Sequence, residues 1–311
     1  MIMPVTHNDI VSIKPNHIRA KLRLFNNHLL KGHSVARMEC LAKQIADSTQ
    51  RISHITNLRN TAHSPFCTDA TRNDFNPLKA AAFHSQHGNI DEAFWLVFLA
   101  THFGEDENKT GWRLVKDVYC GLGNTVHWDW ERICSDPNGF RQWLKSNKDI
   151  LRKNGRFGNH RKYESLLDEH TGKTIASYID WIGPTRNHLH FINSYCKDGE
   201  HPPRILFDLI YKSMEAVWRF GRTAKFDCLC MAGKLGLINI EPGHPYLQDA
   251  TGPLEGARLL FGSRLSTKAL NTRLWELGRH LDLYFGMQVL EDGICNWHKS
   301  PDNYISFLPV K

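Results

Sequence analysis

The chain contains no apolar run approaching the roughly 20 residues needed to cross a bilayer. Its opening stretch, MIMPVTHNDI, lacks the basic region and following apolar segment of a secretory leader. Secretion and membrane insertion are therefore not expected. Cysteine pairs of the Cys-x-x-Cys kind are missing as well. The eight cysteines (Cys40, Cys67, Cys120, Cys134, Cys196, Cys228, Cys230 and Cys295) are scattered, which points to free, mostly buried thiols in a reducing compartment. Without four closely spaced cysteines there is no expected iron–sulfur cluster. Alternating apolar and polar runs of strand length are absent, as are internal repeats and low-complexity tracts.

What is present is helical periodicity, so the expected fold is all-α. Val35, Met38, Leu41, Ile45, Ile52, Ile55 and Leu58 recur on one helix face. A loop rich in Ser, Pro, Asn and Asp follows from Ser64 to Pro77. The segment AFWLVFLATHF after Asn89-Ile90-Asp91-Glu92 is apolar on every side and should be central to the core; Asn89 or Asp91 is placed to cap it. Further helices are expected at Gly111–Gly121, Asn138–Ser146, Thr174–Ile182, Pro203–Phe220, Thr223–Gly236, Pro253–Phe261, Thr267–Phe285 and Met287–Trp297. Residues 1 to 75 read as an N-terminal helical extension, and residues 76 to 311 as the main domain.

The 311 residues suffice for one large domain or two modest ones. Hydrophobic content of 41% and charged content of 23% are those of an ordinary globular chain. The net charge of +7 is unevenly placed. Lys145, Lys148, Arg152, Lys153, Arg156, Arg161 and Lys162 lie between Lys145 and Tyr163 against Asp149 alone. Such a cluster attracts a polyanion, nucleic acid foremost, although a solvated basic face has the same composition. Eighteen histidines invite a metal reading, but neither His84/His87 nor His188/His190 with Cys196 and His201 has a familiar ligand spacing. Exposed loop histidines explain them more simply, and no protein-held metal is expected.

From Trp218 to Gly262 the chain reads WRFGRTAKFDCLCMAGKLGLINIEPGHPYLQDATGPLEGARLLFG. Gly221 would open a turn, Arg219–Arg222, between the helix Pro203–Phe220 and a second helix that Thr223 is placed to cap. Upstream lies GRFGNHRKYESL, Gly155–Leu166, and downstream an acidic turn around Asp249. The order (basic helix, linker, glycine hairpin, acidic turn) resembles the core of the helix-hairpin-helix DNA glycosylase superfamily. In that superfamily a glycine hairpin holds a DNA phosphate with backbone N–H groups. A plain glycine connection between helices looks the same locally. The resemblance implies a helix-hairpin-helix glycosylase-like domain in which Asp249 would be the catalytic acid, although an aspartate in a Gly/Pro turn is also a common cap. The Schiff-base lysine of the lyase branch has no counterpart: Thr223 and Ala224 follow Arg222 directly, and Lys225 leaves the helix in another direction.

A more specific resemblance covers about Asn76 to Asp302. NPLKAA (Asn76–Ala81), DEAFWLVFLATHFG (Asp91–Gly104), GWRLVKDVY (Gly111–Tyr119), FGNHRKYESL (Phe157–Leu166), FGRTAKFD (Phe220–Asp227), ATGPLEGARLLFG (Ala250–Gly262) and GMQVLEDGICNWHKSPD (Gly286–Asp302) are similar to the α-glutamyl/putrescinyl thymine pyrophosphorylase family, the clade numbered third. The resemblance implies hypermodification of DNA bases. A 5-hydroxymethyluracil already pyrophosphorylated by a DNA kinase would exchange its pyrophosphate for an amine, from an amino acid or putrescine. DNA, the amine donor and a functional link to that kinase are thus the implied partners, in the cytoplasm of a bacterium or a phage-infected cell.

That chemistry sets requirements for the residues. Departing pyrophosphate needs cations, and Arg161, Lys162, Arg222, Lys225 and Arg258 lie in the matching motifs. An extruded base needs aromatic surfaces, for which Trp95, Phe157, Tyr163, Tyr246 and Trp297 are candidates. The amine needs a base, and His102, His160, Asp227, Glu291 and Asp292 are available. The catalytic candidates are His160, Arg161, Lys162, Asp249 and Asp292. The phosphate-binding candidates are Arg156, Gly221, Arg222, Thr223, Lys225 and Arg258, and the base-pocket candidates Phe157, Tyr163, Tyr246 and Trp297. No protein-bound cofactor is expected, with Mg²⁺ entering only through the pyrophosphate. A DNA N-glycosylase acting on a modified base and a non-catalytic helical DNA-binding protein remain alternatives.

Overall fold

A computed structural model describes residues 13–25, 30, 33–107, 109–123, 127–196 and 199–306. Among these, the chain is all-α, with fourteen α-helices and no strands. In chain order they are α1 (Pro15–Leu24), α2 (Val35–Asn60), α3 (Pro77–Gln86), α4 (Ile90–Phe103), α5 (Arg113–Tyr119), α6 (Trp130–Ser135), α7 (Pro137–Asn154), α8 (Lys173–Ile182), α9 (His188–Asn193), α10 (Pro203–Ser213), α11 (Arg222–Lys234), α12 (Gly252–Phe261), α13 (Thr267–Leu281) and α14 (Gly286–Trp297). No described helix is long and apolar enough to cross a membrane. The cysteines are all free, four of them buried and four partly so.

The chain forms two compact units, one from Met1–Asn57 with Glu241–Lys311 and the other from Leu58–Ile240. In the second unit the organising element is α4, with eleven of its fourteen residues buried. α3, α5, α6, α9 and α11 pack on it from different sides, which is why its sequence is apolar all round. Its expected cap is not formed. Asn89 makes no capping bond, and Asp91 accepts instead from the backbone N–H and Nδ1 of His188, at 2.6 and 2.7 Å. Asp91 and Glu92 remain in the first turn, where negative charge suits the helix dipole. His188 is accordingly a buried histidine, 2% exposed, and also meets the Tyr178 hydroxyl at 2.8 Å. The sequence reading of it as an exposed loop residue is corrected.

Three helix boundaries depart from expectation. α7 begins at Pro137, capped by Asp136 through Gly139 N–H at 2.8 Å, and runs to Asn154, eight residues beyond the expected Ser146. Lys145, Lys148, Arg152 and Lys153 of the basic run thus lie in this helix, whereas Arg156, Arg161 and Lys162 lie beyond its end, and Arg152 and Lys153 complement the negative end of its dipole. α10 stops at Ser213 and tightens into a 3₁₀ turn, Met214–Ala216, instead of continuing to Phe220. Arg219 has φ +54°, which no helix permits. α13 ends at Leu281, before the expected Phe285, because Asp282 adopts φ +55°.

The first unit packs α12, α13 and α14 against one another, with α1 on α13. Leu270, Leu274, Leu277, Val289, Leu290 and Ile294 are fully buried there.

Candidate functional site

Three sequence motifs converge in the second unit. The first is the end of α4, Ala100–Phe103 with Gly104. The second is Gly155–Leu166, which leaves α7 and makes a 3₁₀ turn at Asn159–Arg161. The third is the turn Val217–Gly221 with the start of α11. Gly158 N–H donates to the Phe103 carbonyl at 2.8 Å. A side chain at Gly158 would lie 2.7 Å from the Glu105 carbonyl oxygen, and one at Gly155 would lie 2.9 Å from the backbone nitrogen of Leu114. Both glycines are therefore demanded by close packing of backbone on backbone.

The hairpin turn is pinned to its surroundings. Trp218 N–H donates to Ser177 Oγ at 2.8 Å, its indole donates to the Glu169 carbonyl at 3.0 Å, and Arg219 Nε reaches Glu164 Oε2 at 3.2 Å. Phe220 is buried against Phe98, ring centroids 5.1 Å apart. Gly221 then stands at the N-cap of α11, where no side chain makes a capping bond. Thr223 lies inside the first helical turn, so the expected cap is displaced. Unlike Gly155 and Gly158, Gly221 has no internal reason to be glycine: φ is −69° and an added Cβ would meet nothing within 4 Å.

Arg161 sits where the motifs meet. It is 9% exposed, its Nε donates to the Thr101 carbonyl at 2.9 Å, and its guanidinium carbon lies 5.6 Å from the centre of the Phe220 ring. Its Nη2 is buried without a hydrogen-bond partner among the described residues. Burial lowers the proton affinity of this guanidinium, opposed by the charges of Asp227, Glu164 and Cys228. Asp227, in the second turn of α11, is the acid of the cluster. Burial pushes its carboxyl up, against the opposing charges of Arg161, His160, Lys234 and Arg222. Beside it the Cys228 thiol is bonded to Thr101 and pushed up to about 12, mainly by burial, so it is no nucleophile. His102 is buried against Thr171 Oγ1 at 3.0 Å, and its pKa is lowered to about 3 by burial and by Arg161 and Arg219. It is a neutral packing residue at physiological pH.

The remaining candidates of this unit divide. Arg156, His160, Lys162 and Tyr163 are exposed, Tyr163 at 80%, with Lys162 Nζ 5.2 Å from its ring centre. Phe157 is half-buried, edge-on to His102. Arg222 lies over Phe226, 5.1 Å from the ring centre. Lys225 is not brought into the cluster. It is 8% exposed and committed to Glu215 at 3.7 Å and to the Tyr211 ring at 4.5 Å. Trp95 is wholly buried, its indole donating to the Trp128 carbonyl at 2.8 Å. Asp227 was one candidate base among several in the sequence, and Lys234 was not singled out. A spacing of seven places both on one helix face, which is the signal that would have found the pair.

The family model for alpha-glutamyl/putrescinyl thymine pyrophosphorylase clade 3 matches residues 36–309. The chain belongs to that family. Thymine pyrophosphorylase clade 3 membership thus spans both units and all seven quoted motifs. The family's name describes enzymes that act on thymine. Neither a search of curated proteins nor a search of solved structures finds a match.

The pyrophosphorylase-like motifs of the first unit hold the other candidates. Asp249 is exposed, at φ +61°, in the turn before α12. Tyr246 is buried against His244, rings 4.0 Å apart. Arg258 pairs with Glu255 at 2.8 Å while its Nε is buried without a partner. Asp292 is bound by the Arg51 guanidinium and accepts from Asn296 at 3.0 Å. Trp297 is fully buried, its indole donating to the Arg37 carbonyl at 3.1 Å. The Arg51 and Arg37 partnerships cross more than 240 residues of sequence, beyond any local pattern.

Proposed function

We propose that this chain is a DNA base-modifying transferase that replaces the pyrophosphate of 5-pyrophosphoryloxymethyluracil with an amine from an amino acid or putrescine. The observation that carries the reading is the meeting of the motifs of Arg161, Phe220 and Asp227 in one unit, where the charges of Arg161, His160, Lys234 and Arg222 act on the Asp227 carboxylate. The amine nitrogen forms a bond to the exocyclic methylene carbon, the carbon–oxygen bond breaks, and pyrophosphate leaves with the electron pair. Because the donor arrives as an ammonium, the Asp227 carboxylate first takes one proton from it to free the lone pair, and the second proton, lost after the bond has formed, goes to solvent. Arg161, whose Nη2 has no partner among the described residues, stabilises charge on the leaving group. Any Mg²⁺ arrives with the pyrophosphate and is held by no protein cage.

Exposed Gly221 and the N-terminus of α11 provide close backbone approach for a DNA phosphate, with Arg222 adding charge. Tyr163, 80% exposed beside Lys162, offers a face for an unstacked base. The test is mass spectrometry of nucleosides digested from DNA bearing 5-pyrophosphoryloxymethyluracil after incubation with the protein, Mg²⁺, amino acids and polyamines. A new nucleoside is expected, and its mass identifies the donor. Abasic sites would instead establish an N-glycosylase, and salt-sensitive binding without altered nucleosides a DNA-binding protein.

A further inference from the structure

Outside the Asp227 cluster, the second unit carries an open polar groove between residues 73–79 and 110–116, closed at one side by Asn154, with a volume of about 640 Å³. That lies within the roughly 300–1,000 Å³ of small-molecule sites. Its lining includes Lys116, 7% exposed, whose Nζ donates to Asn73 Oδ1 at 3.3 Å. Among the described residues this neutral amide is the only hydrogen-bond partner of the ammonium, and no carboxylate lies within ion-pair distance of it. The neighbouring acids are already engaged. Asp74 pairs with Arg72 at 2.9 Å, and Asp117 with Arg113 at 2.8 Å and Asn154 at 2.9 Å. Lys79 adds a second cation to the wall. The Trp112 indole N–H, also lining the groove, is buried and has no hydrogen-bond partner among the described residues.

A buried ammonium has three donors and a charge to be balanced, and a single amide oxygen satisfies neither. Retaining Lys116 there costs stability unless something else supplies the anion. We propose that this groove binds a small molecule through an oxyanion group, phosphate or carboxylate, held by Lys116 and Lys79. Lys116 lines the groove while itself buried, which suits a molecule entering the groove and not a duplex laid across it. The inference is independent of the transferase reading, because it concerns binding without DNA and uses none of the residues around Asp227.

The experiment is calorimetry of the full chain at low ionic strength, without DNA, titrated separately with inorganic phosphate, pyrophosphate and glutamate. One saturable site is expected for at least one of them, and the probe that binds distinguishes phosphate from carboxylate. Lys116→Met should weaken it at least tenfold and Lys79→Ala threefold to fivefold, while Lys268→Ala, an exposed cation of the other unit, changes nothing. Circular dichroism checks that Lys116→Met folds; Lys79 is exposed, so its variant decides the matter if Lys116→Met does not. The proposal is overturned by the absence of saturable binding of all three anions, by unchanged affinity in the folded variants, or by a Lys79- and Lys116-dependent response to DNA alone.

Discussion

Arg161 donates Nε to the carbonyl oxygen of Thr101 at 2.9 Å, while its Nη2 lies buried with no hydrogen-bond partner among the described residues. A guanidinium needed only for stability would have its donors satisfied, because burial of an incompletely paired charge is costly. Arg161→Met should therefore fold with an unchanged or higher Tm. It should also lose at least 100-fold in turnover on pyrophosphorylated DNA, the scale expected for removing one oxyanion donor. Thermal melts and single-turnover rates check both halves. A drop in stability of more than about 3 kcal/mol with only proportional loss of turnover would make Arg161 a structural residue.

Gly158 and Gly221 make a matched pair of opposite character. A methyl group at Gly158 would lie 2.7 Å from a backbone oxygen, whereas at Gly221 it would meet nothing. Gly158→Ala should cost roughly 1–3 kcal/mol through overpacking, read as a lowered denaturation midpoint. Gly221→Ala should leave stability within about 0.5 kcal/mol and weaken DNA binding at all sequences, because it obstructs a phosphate from outside. Arg222→Ala should lower the salt dependence of that binding by about one unit of slope. If Gly221→Ala binds DNA as the parent does, the hairpin is a simple helix connection.

Glu92 and His102, both in α4, should give the stability of the protein two opposing pH dependences. Glu92 accepts from the Tyr119 hydroxyl and Trp130 N–H, both at 2.8 Å, and burial raises its carboxyl from 4.5 to about 7. Between those values the folded chain holds a proton that the unfolded chain has released, so this contribution is full below pH 4.5 and is lost as pH rises to 7. His102 goes the other way. Lowered from 6.5 to about 3, it makes the unfolded chain the better proton binder, so its contribution grows from pH 3 to 6.5. From about 4.5 to 6.5 the two cancel in the parent. Glu92→Gln, which can still accept from Trp130 and donate to Tyr119, should unmask a rise in stability across that window. The parent-minus-variant difference should fall by roughly 3 kcal/mol between pH 4.5 and 7. Denaturant titrations at several pH values provide the curve, and a flat difference would mean that Glu92 is ionised throughout.

The sequence carried the all-α class and most helices because their apolar spacing is a local property. The apolar surround of α4 correctly placed it in the core. Helix ends were harder. α10 does not run on to Phe220: Trp218 is held by Ser177 and Glu169, partners some forty residues away that no window contains. The same cause hid the roles of Gly155 and Gly158, whose packing partners Leu114 and Glu105 lie some forty to fifty residues away. The basic motif was visible as charge, but its division was not. Arg161 turns inward over Phe220 while Arg156 and Lys162 face solvent. Short-range spacing cannot assign those directions inside an irregular 3₁₀ turn.

Asp227 is the residue on which the transferase reading turns, and its substitution separates proton transfer from binding. Asp227→Asn keeps the size of the side chain and removes the charge. Four positively charged or chargeable groups, Arg161, His160, Lys234 and Arg222, act on that carboxylate, so neutralising it leaves the site more positive. DNA affinity should hold or rise slightly. Turnover should fall by about 10²–10⁴-fold, the usual contribution of a general base. Loss should be smaller at high pH, where more of the amine donor is already deprotonated. Single-turnover rates from pH 7 to 10, alongside DNA affinity at fixed salt, distinguish the cases. A uniform loss at every pH would remove Asp227 from proton transfer and leave it as a residue that positions Arg161. Weakened DNA binding of equal size would place it in docking instead.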